Sequence, residues 1–218
     1  ALDSAFGAEV SIDLGAGADS AELVAVTGGG TWSVGGGVGL DGLTGPSANL
    51  TWSVSGMGAG SVSGGASFGF DGMELLTGAG GEDTFTFGAS GSLAGAIDGG
   101  AGSDTLDLSA VTDPTTIDLE AGSATRTGGI AGFESFVANG ADATLIGASN
   151  VNAWTVTGSG VGDVDGVAFS GFTDLTGGSG ADTFAFDDGA AVLGAVDGGG
   201  GGADELDLSA FTGPIAVD

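Results

Sequence analysis

The sequence predicts an all-β chain: a parallel β-solenoid, of the β-helix or β-roll kind, with about 20 residues per turn inside a long repeat of about 100 residues. Three observations carry that prediction. The stretch LTGAGGEDTFTF at 76–87 returns as LTGGSGADTFAF at 175–186, and IDGGAGSDTLDLSA at 97–110 returns as VDGGGGGADELDLSA at 196–210. A shorter step lies inside the long one, because TWSV at 31–34 recurs at 51–54 and sets Trp32 and Trp52 at an offset of 20. Aspartates in similar contexts keep nearly that step: 21 from Asp83 to Asp104, 21 from Asp142 to Asp163, 19 from Asp163 to Asp182 and 22 from Asp182 to Asp204. Finally, short runs alternate apolar and small residues with the two-residue period of a strand, and no segment sustains a helical period.

Taken in chain order, residues 1–13 begin the scheme, since Ala5, Ala110 and Ala210 follow at offsets of 105 and 100. The chain therefore reads as one continuous array, a segment of something longer: a first long repeat at 1–105, a second at 106–205 and the start of a third at 206–218. Trp32, Trp52 and Trp154 read as core or ladder residues rather than a sugar-stacking stripe, because Trp mostly buries its area. In Thr84–Phe87 and Thr183–Phe186 the Phe side chains point to one face, and Leu106 with Leu108, then Leu206 with Leu208, do the same. Gly-rich bends separate these runs. A β-sandwich also uses short strands and Gly turns, but it does not require a near-constant step with matching residues.

Composition narrows the function. Of 218 residues, 50 are Gly, and 29 acidic residues face one basic residue, Arg126, for a formal charge of −28. Such a chain repels phosphates, so nucleic acid and anionic membrane surfaces are excluded as partners, and no apolar run has the length of a membrane-spanning helix. Divalent cations are its natural counterpart. Acid–base and electrophilic chemistry on acidic sugars draws on Lys, Arg, His or Tyr; the chain has no Lys, His or Tyr, so it does not read as an enzyme.

The turns carry the candidate chemistry. Residues 99–107 (GGAGSDTLD), 177–185 (GGSGADTFA) and 199–207 (GGGGADELD) fit the pattern Gly-Gly-x-Gly-x-Asp-x-apolar-x. Residues 78–86 (GAGGEDTFT) miss it by Ala79, and 137–145 (VANGADATL) keep only the second half. Calcium takes six to eight hard oxygen ligands, and a Gly-rich turn can present backbone carbonyls that Asp supplements with charge. The candidate ligands are thus Asp83, Asp104, Asp142, Asp182 and Asp204, on turns shaped by Gly99, Gly100, Gly102, Gly177, Gly178, Gly180, Gly199, Gly200 and Gly202. The competing reading is that each Asp only hydrogen-bonds the backbone of its own turn. Asp163 with Asp165, and Asp187 with Asp188, read as solvated edges.

These nonapeptides resemble the calcium-binding repeats of RTX proteins, and the texture of the whole chain resembles the long secreted surface proteins and adhesins of bacteria. The resemblance implies a calcium ion between stacked turns, bound by carbonyls and Asp from each, with Asp83 above Asp104 and Asp182 above Asp204. The chain departs from the family in carrying one copy of the motif per turn rather than a tandem run, so full-strength calcium sites are few. The expectation is an extracellular or cell-surface fibre or adhesin repeat, stiffened by Ca2+ and associating end to end or side by side with copies of itself. A module that binds carbohydrate or another surface through its outer face is the alternative.

Overall fold

The computed structural model describes residues 9–26 and 30–213. Ala5, which marks the start of the first repeat, and the last residues of the third lie outside these. Every element among the described residues is a β-strand. The chain forms two compact units, one of residues up to Val111 together with Arg126–Glu134, the other of Thr112–Thr125 together with residues from Ser135 onward.

In unit one the chain passes back and forth between two sheets. The first holds Val10–Asp13, Trp32–Gly35, Thr51–Gly56, Ala59–Ser63, Ser67–Asp71, Thr84–Phe87 and Thr105–Asp107; the second holds Ser20–Glu22, Gly42–Thr44, Leu75–Thr77, Ala96–Asp98 and Gly129–Ala131. Parallel pairing runs through the second sheet, with Ser20 beside Gly42, Gly42 beside Leu75, Leu76 beside Ile97 and Ile97 beside Ile130. The sequence offsets between those partners are 22, 33, 21 and 33. The expected step is therefore present in some passes and lengthened by about half in others.

The long pass from Gly42 to Leu75 contains a feature that the repeat pattern does not announce. Thr51–Gly56, Ala59–Ser63 and Ser67–Asp71 form an antiparallel meander within the otherwise parallel first sheet. Its last strand pairs with Trp32–Gly35 and its first with Thr84–Phe87. Trp32 consequently lies beside Phe68, and Trp52 beside Phe85. The two TWSV segments stand one short step apart in sequence but are not neighbours, because the chain doubles back at Gly58 (φ 62°) and Gly65 (φ 107°) instead of completing a turn.

Unit two repeats the plan. Ala153–Gly158, Val161–Val164 and Val167–Ser170 form the same meander, and a register irregularity falls at its first tip in both units, at Val54/Gly56 and at Val156/Gly158. Its first strand pairs with Thr183–Phe186, which pairs in turn with Glu205–Asp207. Thr115–Asp118, Ala143–Ile146, Asp174–Thr176 and Val196–Asp197 form the parallel part of the second sheet, and Ser123–Ala124 pairs antiparallel with Thr115–Asp118 at its edge.

Alternation decides which side chains are inside. In Thr84–Phe87 both Phe side chains are buried and both Thr are partly exposed, and Thr183–Phe186 follows the same rule. Trp52 stacks on Phe85 at 5.2 Å, and Trp154 on Phe184 at 5.2 Å, so each unit has the same aromatic pair in its core.

Candidate cation sites at the glycine-aspartate turns

Each Gly-Asp turn ends just before a strand: Asp41 precedes Gly42–Thr44, Asp83 precedes Thr84–Phe87, Asp104 precedes Thr105–Asp107, Asp182 precedes Thr183–Phe186, and Asp204 precedes Glu205–Asp207. Because the strands stack in register, the aspartates fall into files. Along a file, Oδ1 of each Asp accepts the backbone N–H at the same position of the neighbouring pass. Asp41 accepts from Asp19 (2.8 Å), Asp83 from Leu50 (2.7 Å) and Asp104 from Asp83 (2.7 Å). In unit two, Asp182 accepts from Asn152 (2.7 Å) and Asp204 from Asp182 (3.0 Å). Two glutamates serve alike, Glu74 accepting from Asp41 and Glu134 from Asp104, each at 2.8 Å.

These carboxylates bond to the next pass and not to their own turn. Own-turn bonds belong to other aspartates: Asp98 accepts from Gly100, and Asp197 from Gly199. Asp83–Asp104 and Asp182–Asp204 are neighbours in the structure. Asp142 stands apart, exposed, at φ 49°, and the file position equivalent to Asp41 is held by Ala143, whose N–H goes to Thr173 Oγ1 at 2.9 Å. Asp163 lies on a meander strand opposite Thr155 and Ala168, so the spacings through it do not reflect stacking.

The second oxygen of these aspartates is the unusual one. Oδ2 of Asp19, Asp41, Asp83, Asp104 and Asp182 is buried with no hydrogen-bond donor. Asp41, Asp104 and Asp182 are fully buried and Asp83 is 1% exposed. A buried acceptor without a partner costs about 1–3 kcal/mol, and more when charged. The first glycine of the turn explains where these oxygens point. A Cβ on Gly78 would overlap both Asp83 Oδ2 and the Gly99 carbonyl oxygen, and a Cβ on Gly177 would overlap Asp182 Oδ2 and the Gly198 carbonyl oxygen. Carboxylate and carbonyl oxygens of successive passes thus converge beside a Cα that must be glycine.

Unit two shows what such a convergence accepts. At the turn that begins with Gly147 the file residue is Asn152, and its Nδ2 donates to the carbonyls of Ala148 (3.0 Å), Asn150 (2.8 Å) and Gly177 (2.7 Å) and to Asp182 Oδ1 (2.8 Å). Three carbonyls and a carboxylate therefore surround one electropositive group. In the aspartate turns an acceptor stands where Asn152 places a donor.

Burial raises the Asp83 carboxyl to about 6 from its ordinary 3.8; the Leu50 N–H opposes this and the Asp104 charge adds to it. Asp104 is raised as well, first by burial, against the Asp83 N–H, with Glu134, Asp98 and Glu82 contributing repulsion. One arginine cannot balance the four buried carboxylates of Asp41, Asp83, Asp104 and Asp182, so their countercharge has to come from solution, as protons or as cations. The donors available are hard oxygens, which suit a calcium-like ion. Among the described residues no three acidic side chains gather on one point. An ion would therefore lie between two carboxylates and take its other ligands from carbonyls and water.

The turn geometry also corrects the motif register. Positive φ falls on the second and fourth positions at Gly100 (97°) and Gly102 (146°), whereas the turn beginning at Gly177 has it at Gly178 (105°) and not at Gly180. In the last turn these roles go to Gly199 (83°) and Gly201 (109°), not to Gly200 and Gly202, because Gly198 is the first position and one extra residue precedes Asp204. Five consecutive glycines at 198–202 hide that register in the sequence. Ala79 fills a second position at φ 75° despite its Cβ. The sequence reading missed Asp41, although GGVGLDGLT at 36–44 is a full match, and Asp19, where Leu14 replaces the first glycine.

No family model, curated protein or solved structure matches this chain.

Proposed function

We propose that this chain is a segment of an extracellular or cell-surface fibre or adhesin, a stiff β-solenoid rod of RTX-like character whose stacked turns are held by calcium. Parallel pairing at short sequence steps, 21 from Leu76 to Ile97 and 22 from Ser20 to Gly42, supports the solenoid reading, with the meanders as inserted blocks. The observation that carries the calcium reading is the set of buried aspartate Oδ2 atoms with no donor, aimed where carbonyls of the next pass converge.

Asp41, Asp83, Asp104, Asp182 and Asp204 would hold the ions, with Asp19 at the head of the first file. Asp142 lies outside the files and takes no part. Bound calcium supplies a divalent charge that turns repulsion between stacked carboxylates into attraction. The protein's own contribution is spacing: each Oδ1 fixes the distance between passes through a neighbour's N–H, and the first glycine lets two oxygens approach. A rod of this kind acts mechanically, as a spacer whose length follows from the number of repeats, and its negative charge keeps neighbouring rods apart until cations bridge them.

The test is far-ultraviolet circular dichroism with a thermal melt on metal-stripped protein, repeated in millimolar calcium. A rise in melting temperature or in β signal on adding calcium is expected. Identical curves would remove the calcium reading and leave the turns as corners only.

A further inference from the structure

We infer that Asn152 is a built-in substitute for a cation: its side-chain amide fills the oxygen cage that the aspartate turns leave to an ion, so the turn from Gly147 to Asn152 holds its stack without calcium. This inference rests on the calcium reading proposed above. The geometry behind it is the four acceptors within 2.7–3.0 Å of Asn152 Nδ2, while Asn152 Oδ1 accepts the Ala148 N–H at 3.2 Å and fixes which end of the amide faces the cage. Asn152 is 1% exposed and none of its side-chain polar atoms is orphaned. An amide brings two N–H donors, shared among these four acceptors, and no net charge, and it gives Asp182 Oδ1 a second donor beside the Asn152 backbone N–H.

The equivalent position in unit one is Leu50, a third solution, with an apolar side chain packed beside Gly45. Cation demand is then uneven. Four orphaned Oδ2 atoms, of Asp19, Asp41, Asp83 and Asp104, lie in unit one and one, of Asp182, lies in unit two. Unit two also replaces the Asp41–Glu74 pair with Ala143 and Thr173, whose bond is neutral. Withdrawing calcium loosens unit one first.

Asn152→Asp tests this, with bound calcium counted by native mass spectrometry and hydrogen exchange followed at residues 148–153 in chelator and in millimolar calcium. The variant is expected to bind one more ion than the parent, to exchange faster than the parent in chelator, and to return to the parent rate in calcium. An unchanged ion count with no rescue overturns the inference while the parent still binds calcium; a parent that binds none overturns the calcium reading itself. An Asn152→Asp protein that stays unfolded in calcium also counts against it, and the reciprocal Asp104→Asn then decides. One ion fewer and a turn protected in chelator would uphold the exchange of amide for ion, and an unchanged count would end it.

Discussion

Replacing Asp83 by Asn separates the two jobs of a file carboxylate. Oδ1 of Asp83 accepts the Leu50 N–H at 2.7 Å, and an Asn oxygen can keep that bond. Oδ2 is buried and unpartnered, and the Asn amide would put a donor there, facing the Gly99 carbonyl. In chelator near neutral pH, the change removes an unsatisfied buried acceptor and a buried charge, worth about 1–3 kcal/mol. For a chain of this size that is about 2–4 °C per kcal/mol, so the variant should melt several degrees above the parent. In millimolar calcium the parent gains an ion that the variant has lost a ligand for, and the gap should close or reverse. Asp83→Ala is the control, since it strands the Leu50 N–H and should lose about 1–3 kcal/mol in both conditions. Thermal melts of the three proteins, each in chelator and in calcium, give the comparison. An Asn variant less stable than the parent in chelator, or one with the parent's full response to calcium, would refute the assignment of Oδ2 as the ion-facing atom.

Three further outcomes follow from the turn geometry. Gly99→Ala should cost about 1–3 kcal/mol or more, as overpacked cores do, because its Cβ overlaps the Gly132 carbonyl and lies 2.9 Å from Asp104 Oδ2; Gly200→Ala, with nothing within 4 Å and no positive φ, should stay within about 0.5 kcal/mol in the same urea titration. Ala79→Gly should stabilise by about 1 kcal/mol, since Ala79 sits at φ 75° where L-residues are strained, and no gain would show the strain absorbed elsewhere. In metal-free protein, acidification should first stabilise. Asp83 holds its proton up to about pH 6 when folded against 3.8 when unfolded, and Asp104 shifts the same way, so this stability is fully present below 3.8 and is lost as pH rises through 6. Asp174, Asp188 and Asp207 are shifted down by hydrogen bonds from Ala195, Thr212 and Ser209, so their contribution fades at lower pH. Melting temperature should therefore peak between about pH 4 and pH 6, and a monotonic fall on acidification from neutral pH would contradict the burial of Asp83 and Asp104.

Much of this was legible in the sequence where local chemistry and stacking agree. Thr84–Phe87 and Leu106 point as the two-residue period demands, and Asp83–Asp104 and Asp182–Asp204 are neighbours because nothing interrupts the passes between them. The reading fails where the chain reverses. Gly58 and Gly65 look like any other bend in a chain with 50 glycines, and nothing in TWSV tells a meander strand from a stacked one, so Trp32 and Trp52 suggest a contact that the fold does not make. Asp142 and Asp163 join the aspartate series by spacing alone, and each lies next to a reversal or a neutral file. The role of Asn152 could not be read from the sequence, because only the stacked carbonyls of Ala148, Asn150 and Gly177 give its amide a meaning.

The contrast between Asn152 and the aspartates bears on why the files are charged at all. Asp83, Asp104 and Asp182 each hold a neighbour's N–H through one oxygen, and an asparagine oxygen can accept that bond without bringing a charge into the core. A sequence shaped only for stacking would be served by Asn at every file position, as Asn152 serves here, and would avoid a row of buried carboxylates that repel one another. Retaining a buried Asp at four of these positions costs stability in the absence of a countercharge, which is the penalty a bound cation would offset on the proposed reading. On the proposed calcium reading, the stiffness of the array would depend on the cations around it, high where divalent cations are abundant and low where they are scarce.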